Sequence, residues 1–231
     1  MKVVVLTGAG VSAESGLSTF RDSGGLWEGH DPMTVATPEA YAADPALVHR
    51  FYDERRAALD VVAPNAAHAA LARLEAALGD DLLVVTQNVD DLHERAGSRR
   101  VHHLHGSLLS AWCLTCGQRH PWAGPMGHLP GCPACGEATL RPDIVWFGEV
   151  PYDMDLVVDA LGECDLFVSV GTSGTVYPAA AFVRWARGAT LELNLEPSLG
   201  ASDFQRSRTC PAGELVPAWV DEVLGATSTA D

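Results

Sequence analysis

The stretch KVVVLTGAGVSAESG, residues 2–16, decides the fold. It opens with a β-branched run at residues 2–6 that passes directly into a glycine-rich turn, and a short apolar run of this kind predicts a buried strand. In the turn, Gly8, Gly10 and Ala13 match the pattern G-x-G-x-x-A, which is typical of a strand-to-helix loop that binds phosphate. An ordinary turn between a strand and a helix is the alternative at this point.

Similar apolar runs recur along the chain. They predict further strands at residues 82–86, 101–105, 165–170 and 190–195. Helical patterns lie between several of these runs, at residues 46–61, 66–78, 153–163, 176–187 and 217–224. Strands that alternate with helices indicate a parallel sheet covered on both faces. We therefore predict an α/β fold with a Rossmann-like parallel sheet.

Two regions interrupt this alternation. One is helical without a strand, and the other is rich in cysteine, tryptophan, glycine and proline with little periodicity. We predict that both regions form a smaller domain beside the sheet. In this division the Rossmann-like domain comprises residues 1–27, 76–108 and 142–231, and the small domain comprises a helical insertion, 28–75, and a zinc-binding module, 109–141.

Composition and charge restrict the possible partners. Of 231 residues, 47% are hydrophobic, and 30 acidic residues face 15 basic ones, for a net charge of −15. An acidic chain is repelled by nucleic acid and by anionic membranes, so we expect neither as a partner and expect lysine-rich peptides to be favoured. Because no apolar run reaches the roughly 20 residues of a membrane span and the N-terminus does not resemble a secretion signal, we expect a cytoplasmic protein.

Four of the six cysteines form two CxxC pairs, with residues 117–131 between them. They are Cys113, Cys116, Cys132 and Cys135. Two pairs at this separation supply four thiolates for one tetrahedral ion, so they predict a structural zinc site without an open coordination position. Two disulfides are the alternative, which the lack of an export signal disfavours.

One part of the usual dinucleotide-binding pattern is missing. An acidic residue is expected about 20 residues after the loop, at the end of a second strand. Here the segment STFRDSGGLWEGH, residues 18–30, shows no strand pattern. The ribose of a bound dinucleotide must then be held elsewhere, and Asn194 and Glu196 at the end of the run TLELNLE offer suitable oxygen acceptors.

Eight motifs occur in a fixed order from Gly8 to about Ala212. They are GAGVSAESG (8–16), TFR (19–21), TQNVDDLHERAG (86–97), HLHGS (103–107), the paired cysteines, VWFGE (145–149), GTS (171–173) and NLE (194–196). Together they resemble the sirtuins, which are NAD-dependent protein-lysine deacylases. The resemblance covers nearly the whole chain. It implies cleavage of the nicotinamide–ribose bond of NAD and transfer of the acyl group of lysine to ADP-ribose.

The resemblance also assigns NAD-binding residues. They are Gly8, Ala9, Gly10, Ser12 and Ala13; Phe20, Arg21 and Trp27; Gln87, Asn88, Val89 and Asp90; Gly171, Thr172 and Ser173; Asn194, Leu195 and Glu196; and Ala212. Among these, Asn88 and Asp90 would hold the nicotinamide and the nearby ribose. Either residue could instead simply cap the helix that follows, and both roles can hold at once.

His105 is the predicted general base. It ends the run VHHLH and therefore lies at the crevice side of the sheet. An imidazole with an ordinary pKa near 6.5 accepts a proton at neutral pH, here from a ribose hydroxyl. A two-histidine metal site is the rival interpretation, because His103 and His105 would share one face of a strand.

The motif VWFGE is the predicted substrate edge, to which an extended peptide can add as a strand. Val145 and Phe147 would flank the tunnel for acyl-lysine, with Gly148 and Glu149 in the same segment. An ordinary buried strand is the alternative.

Tyr52 and Arg55 predict which acyl group is removed. Their Y-x-x-R spacing puts a phenol and a guanidinium on one helix face, where they can bind a carboxylate. This resembles the class III sirtuins, which remove succinyl and malonyl groups, and deacetylation would remain as a second activity. The alternative is a core tyrosine beside a solvated arginine, and we expect the neighbouring Arg56 to be solvated.

Other classes of function remain open at this stage. The chain could be mainly a deacetylase, or a protein ADP-ribosyltransferase on the same scaffold. A zinc-ribbon adaptor would not need NAD, and an NAD-dependent dehydrogenase would need the acidic residue that is missing. We predict a deacylase with NAD as co-substrate, one structural zinc ion, and acyl-lysine-bearing proteins or peptides as partners.

Overall fold

The computed structural model describes residues 1–17 and 29–228. The strands within these residues are β1 (Val3–Thr7), β2 (Leu82–Thr86), β3 (Val101–His103), β4 (Gly106–Cys113), β5 (Arg119–Pro121), β6 (Leu140–Ile144), β7 (Leu166–Val170), β8 (Ala189–Asn194) and β9 (Arg206–Thr209). Six of them form one parallel sheet in the order β3-β2-β1-β7-β8-β9. The predicted Rossmann-like sheet is thus confirmed.

The helices follow most of the predicted spans. Within the described residues they are α1 (Ala9–Ala13), α2 (Pro32–Val35), α3 (Pro38–Ala43), α4 (Pro45–Ala58), α5 (Ala66–Leu78), α6 (Leu92–Arg95), α7 (Met154–Glu163), α8 (Phe182–Trp185) and α9 (Ala212–Ser228). The helix predicted over 176–187 is only a 3₁₀ turn (Ala179–Ala181) followed by α8. Helix α9 begins at Ala212, five residues before Pro217, the residue at which the sequence predicted the start of this helix.

The two faces of the sheet carry separate cores. Alternate side chains of a strand point to opposite faces, so Val3 and Val5 join the core under α5 and α9, whereas Val4 and Leu6 join the core under α7 and α8. All five side chains of β1 are buried. Burial on both faces explains why the sequence of β1 is a continuous apolar run and does not alternate between apolar and polar residues.

Helix α5 packs against the sheet. Its residues Leu71 and Leu74 are fully buried in the core that also contains Val84 of β2 and Val216 of α9. The domain boundary predicted between residues 75 and 76 therefore falls inside a helix whose apolar face covers the parallel sheet.

A second, antiparallel sheet has the order β5-β4-β6 and carries the cysteine module. The predicted domain boundaries near residues 108 and 141 fall within β4 and β6. Strand β6 has the sequence LRPDI and is buried at all five positions, including Arg141 and Asp143. Because buried charged residues do not follow the apolar pattern of a strand, the sequence did not reveal it.

Helices α2 to α4 pack on this second sheet. Val48, Phe51 and Tyr52 of α4 share a buried cluster with Leu108 of β4 and Ile144 of β6. The cluster places α4 beside the turn that follows β6. Among the described residues, none of the helices has both the length and the apolar character needed to cross a membrane.

Candidate active site

The strand order reverses at β1, which lies between β2 and β7. In an open parallel sheet, a reversal of this kind opens a crevice at the carboxyl ends of the strands, and ligands bind there. The residues at these ends are Thr7, Thr86, His103, Val170 and Asn194. The segments that follow them contain most of the predicted NAD-binding residues.

Three glycines bring two of these segments into contact. The amide N–H groups of Gly8 and Gly10 donate to the carbonyl oxygens of Val170 and Gly171, at 3.0 and 2.9 Å. Gly171 has φ +62°, and a Cβ atom at this position would lie 2.5 Å from the amide nitrogen of Val11. The loop after β1 and the loop after β7 therefore approach more closely than side chains would allow.

A buried polar cluster connects the first loop to the loop after β2. The Ser12 hydroxyl donates to Asp90 Oδ2 at 3.1 Å and accepts from the Asn88 side-chain amide at 3.1 Å. Burial raises the pKa of the Asp90 carboxyl, although hydrogen bonds from the Leu92 amide and Ser12 act in the opposite direction. Ser12, Asn88 and Asp90, which were predicted separately, therefore form one connected group.

Two buried histidines lie beneath this group. His68 Nε2 is 3.4 Å from the Ser12 hydroxyl, and His93 Nε2 is 3.0 Å from the Thr7 hydroxyl. The two rings meet edge to face, with centroids 4.9 Å apart. Burial lowers the pKa of His68 to about 4 and that of His93 to about 3, so both are neutral at physiological pH.

His105 follows β3 by two residues and is half-buried. Its Nδ1 atom lies 3.0 Å from the carbonyl oxygen of Gln87. Burial lowers the pKa of His105, and the hydrogen bond to Gln87 offsets this only in part. A carbonyl oxygen can only accept, so Nδ1 carries the hydrogen in the neutral ring and Nε2 has a lone pair.

His103 has different partners from His105. Its Nδ1 atom faces the Asn88 carbonyl oxygen at 2.9 Å, and its Nε2 atom faces the Glu94 carboxylate at 2.8 Å. Burial lowers the pKa of His103, but the hydrogen bond and charge of Glu94 outweigh it and raise the pKa above its ordinary value. Within the described residues, only the four cysteines form a group that could hold a metal, so the rival two-histidine site has no support there.

The loops after β7 and β8 are joined by Asn194. Its side-chain amide donates to the Thr172 carbonyl oxygen at 2.6 Å. Thr172 and Gln87 both line a small cleft of about 20 Å³. Leu195 and Glu196, which follow β8, are exposed.

Of the remaining predicted NAD-binding residues, those that the structure describes lie in four segments. The Ser173 carbonyl oxygen accepts from the Leu199 amide at 3.2 Å, and Ala212 is buried at the start of α9. Ala9 and Ala13 are exposed, and the Val89 carbonyl oxygen accepts from the Leu108 amide at 2.9 Å. Three residues predicted to bind the cofactor lie outside the described residues. They are Phe20, Arg21 and Trp27.

The VWFGE segment forms a turn after β6 rather than a strand. The Val145 amide donates to the carbonyl oxygen of His105 at 2.9 Å, which ties this segment to the predicted base. Phe147 is 46% exposed, and Gly148 follows it in the turn. The Glu149 carboxylate accepts from the Arg141 guanidinium at 2.7 and 2.9 Å, so it braces the turn from within.

Tyr52 and Arg55 lie on α4 next to this turn. Tyr52 is fully buried, and its oxygen accepts from the indole N–H of Trp146 at 2.9 Å. Burial raises the pKa of Tyr52, while the Trp146 hydrogen bond and the charge of Arg55 act in the opposite direction. The Arg55 guanidinium lies 3.2 Å above the centroid of the Phe51 ring. Both side chains thus contact the Phe51 ring, and the Tyr52 ring meets it edge to face with centroids 5.0 Å apart.

Arg56 is not solvated, contrary to expectation. It is 4% exposed, it pairs with Asp53 at 2.7 Å, and its Nε donates to the Leu108 carbonyl oxygen. These partners satisfy the buried guanidinium and connect α4 to β4. The sequence could not reveal this, because a pair of adjacent arginines on a helix does not show which one faces the core.

The four cysteines converge as predicted. All their sulfur atoms lie within 4.8 Å of one another, with Cys113 to Cys135 at 3.6 Å and Cys116 to Cys132 at 3.8 Å. A tetrahedral zinc ion with Zn–S bonds of about 2.3 Å requires sulfur separations of about 3.8 Å. The cysteines therefore fit a zinc ion, and four thiolates would fill its coordination shell.

Several residues that shape the site were missed from the sequence. Among them are His68, His93, Arg141 and Trp146. The motif TQNVDDLHERAG contains His93, and VWFGE contains Trp146, but their hydrogen bonds are to Thr7 and Tyr52. These partners are 86 and 94 residues away, so no local pattern could have paired them.

The Sir2 family model matches residues 8–178, which is more than half of the chain. The chain belongs to the Sir2 family. The resemblance to sirtuins is therefore confirmed, together with the fold that it implied.

Curated Sir2 relatives are similar over almost their whole length. The NAD-dependent protein deacylases of Pasteurella multocida (strain Pm70) and Caulobacter vibrioides are both 55% identical to this chain. The alignments cover 97% of this chain and 98% and 97% of the relatives. A solved complex of a Sir2 homologue with NAD superposes with a TM-score of 0.88 at 40% identity, covering 97% of this chain and 90% of that one.

Proposed function

We propose that this Sir2-family chain is an NAD-dependent protein-lysine deacylase. The observation that carries the proposal is the meeting of His105 with the Asn88–Asp90 loop and the glycine loops at one end of the parallel sheet. The products would be the deacylated lysine side chain of the protein, nicotinamide and O-acyl-ADP-ribose. The names of the relatives at 55% identity support the activity and its dependence on NAD.

The described residues fit NAD at this end of the sheet. The closely packed loops after β1 and β7 would lie against the phosphates, with Thr172 and Ser173 offering hydroxyl groups. Asn88 and Asp90 would bind the nicotinamide end, and Asn194 and Glu196 a ribose. NAD itself supplies the nicotinamide–ribose bond whose cleavage drives deacylation.

His105 would act as general base. Its Nδ1 hydrogen is directed to the Gln87 carbonyl oxygen, so the Nε2 lone pair can take a proton from a ribose hydroxyl. The pKa lowered by burial keeps the ring neutral at physiological pH. The zinc ion held by the four cysteines would support the fold, because its shell leaves no position for a substrate.

Tyr52 and Arg55 would select acyl groups that end in a carboxylate, such as succinyl and malonyl. A guanidinium next to a phenol provides two hydrogen-bond-donating groups and one positive charge at a partly desolvated position. An acetyl group is smaller and would enter the same tunnel, so deacetylation would continue as a second activity. A cytoplasmic location stays a prediction.

Mass spectrometry tests this proposal. Succinyl-, malonyl- and acetyl-lysine forms of one peptide are incubated with the protein, with and without NAD. We expect loss of all three acyl groups only with NAD, accompanied by O-acyl-ADP-ribose. If labelled ADP-ribose appears on protein instead, the chain is an ADP-ribosyltransferase, and loss of acetyl alone would reject the acidic-acyl preference.

An Arg55→Met variant tests the acyl preference directly. It should lose desuccinylation far more than deacetylation, because methionine keeps an unbranched side chain but removes the positive charge and the N–H donors of the guanidinium. Arg50→Met is a matched control, since Arg50 is an exposed arginine of the same helix. Equal loss of both activities in Arg55→Met would refute the role of Arg55 in acyl selection.

A further inference from the structure

We propose that Trp146 is a positioning residue that orients the Tyr52 hydroxyl toward acyl groups ending in a hydrogen-bond acceptor. The proposal rests on the proposed deacylase function and its acidic-acyl preference. Trp146 is 2% exposed and Tyr52 is fully buried, so their hydrogen bond of 2.9 Å is shielded from water. A shielded hydrogen bond is a reliable way to fix the direction of a hydroxyl group.

The chemistry of the two groups sets this direction. An indole N–H can only donate, so the Tyr52 oxygen is the acceptor in this pair. The hydroxyl hydrogen of Tyr52 must therefore point away from Trp146. A carboxylate can only accept hydrogen bonds, so an oriented hydroxyl hydrogen suits a succinyl or malonyl terminus. An acetyl group has no terminal acceptor for this hydrogen.

Trp146 is itself held on several sides. The Arg141 guanidinium lies 3.3 Å from the centroid of the indole ring, and the Tyr41 ring lies 5.4 Å away. The Glu149 carboxylate accepts from the Trp146 amide at 2.8 Å and from Arg141. Arg141 is 3% exposed in its ion pair with Glu149, and Glu149 is 24% exposed, so the frame is mostly shielded from water. The indole N–H therefore has one fixed direction.

The same turn also reaches the predicted base. Trp146 is next to Val145, whose amide donates to the carbonyl oxygen of His105. The turn thus links His105, which would accept a proton, to Tyr52, which would bind the far end of the acyl chain. Because the indole lies on the Tyr52 side of the turn, a change limited to its N–H acts on acyl selection rather than on NAD.

The experiment compares kcat and KM for succinyl- and acetyl-lysine forms of one peptide. Trp146→Phe removes the N–H and keeps an aromatic ring. We expect the KM for the succinyl peptide to rise about five- to tenfold, the effect of one buried neutral hydrogen bond. The KM for the acetyl peptide should rise much less, and kcat for either peptide should change less than the succinyl KM.

A double variant shows whether Trp146 acts through Tyr52. Tyr52→Phe with Trp146→Phe should cost the succinyl peptide no more than Tyr52→Phe alone, since the hydroxyl is already absent. Tyr41→Phe is the matched control: it removes another phenol that packs on Trp146, but one whose hydroxyl donates to the Leu140 carbonyl oxygen. It should leave the ratio of the two KM values as in the wild type.

Each outcome separates the two proposals. Suppose that Arg55→Met lowers desuccinylation selectively. If Trp146→Phe then changes both KM values equally, or if its effect on the succinyl KM adds in full to that of Tyr52→Phe, the positioning role is wrong and the function stands. If the wild-type protein does not act on the succinyl peptide, the acyl preference and the role of Trp146 both fail. A selective succinyl KM effect that vanishes in the Tyr52→Phe background confirms the positioning role.

Discussion

The parallel-sheet domain and the zinc module are ordered by different physical means. In β1 every side chain is buried, and the sheet is covered by an apolar core on each face. From residue 114 to residue 139, all of which the structure describes, only Met126 and Cys132 are buried. A segment with so little buried apolar surface cannot offset its conformational entropy by burial alone.

The difference in buried apolar surface indicates how far the parallel-sheet domain and the zinc module each depend on a ligand. The sheet and its loops are held by apolar packing and backbone contacts, so the NAD end can form before a ligand binds. We expect the zinc module to need its metal to fold, because four converging cysteines stand where a larger apolar core is missing. The following experiments test this contrast.

Removal of the metal should have the largest effect. Binding of structural zinc contributes about 10–16 kcal/mol in isolated zinc-finger peptides at pH 7, so Cys132→Ala or a strong chelator should unfold the module. Hydrogen exchange should then accelerate over residues 114–139, while the amides of β1 and β2 stay protected. Zinc content measured by atomic emission should fall together with this protection. Unchanged exchange in the module after complete zinc loss would contradict the contrast.

Acid should weaken the sheet domain through His68 and His93. Their pKa values of about 4 and about 3 lie below the ordinary 6.5 of an unfolded chain. The unfolded state therefore binds more protons as the pH falls below 6.5, and stability is lost down to pH 3–4. Two such groups predict a slope that approaches about 2.7 kcal/mol per pH unit near pH 5 and is smaller toward pH 6 and pH 4. Urea unfolding at several pH values measures it.

A His93→Gln variant is the control for this slope. It removes one titrating group, so the slope should fall to about half, whereas loss of zinc in acid affects both proteins alike. His103 has the opposite sign: its raised pKa gives stability below pH 6.5 that is lost as the pH rises through the folded-state value. A slope that is the same in the variant and the wild type would show that the buried histidines do not carry the acid sensitivity.

A pair of glycine substitutions should give the smallest effects. Gly171→Ala introduces a Cβ atom at φ +62° that meets the backbone of Gly10 and Val11, so it should cost about 2–5 kcal/mol and weaken NAD binding. Gly117→Ala in the first cysteine knuckle has φ +74° but no atom within 4 Å of its Cβ, so it should cost only about 1 kcal/mol. Urea unfolding compares the two. Equal costs would mean that close packing of the two loops does not matter.

Local sequence patterns predicted much of the secondary structure of this molecule. Helix α5 was predicted with the bounds that the structure has, Ala66–Leu78, because its apolar residues recur with a helical period. The same pattern could not show that α5 covers the parallel sheet, since the partner residues Val84 and Val216 are distant in sequence. Strand β6 was missed because its buried Arg141 and Asp143 are paired with side chains elsewhere in the fold.

By itself, the sequence determined the parallel sheet, the glycine turn, the cysteine ligand set and the family, because each depends on residues that are close along the chain or on a fixed order of motifs. Only the tertiary structure decided that Ser12 meets Asp90, that Arg56 is buried and that Trp146 donates to Tyr52. The physical reason is that a hydrogen bond joins whichever groups packing brings within about 3 Å, and packing depends on the whole chain.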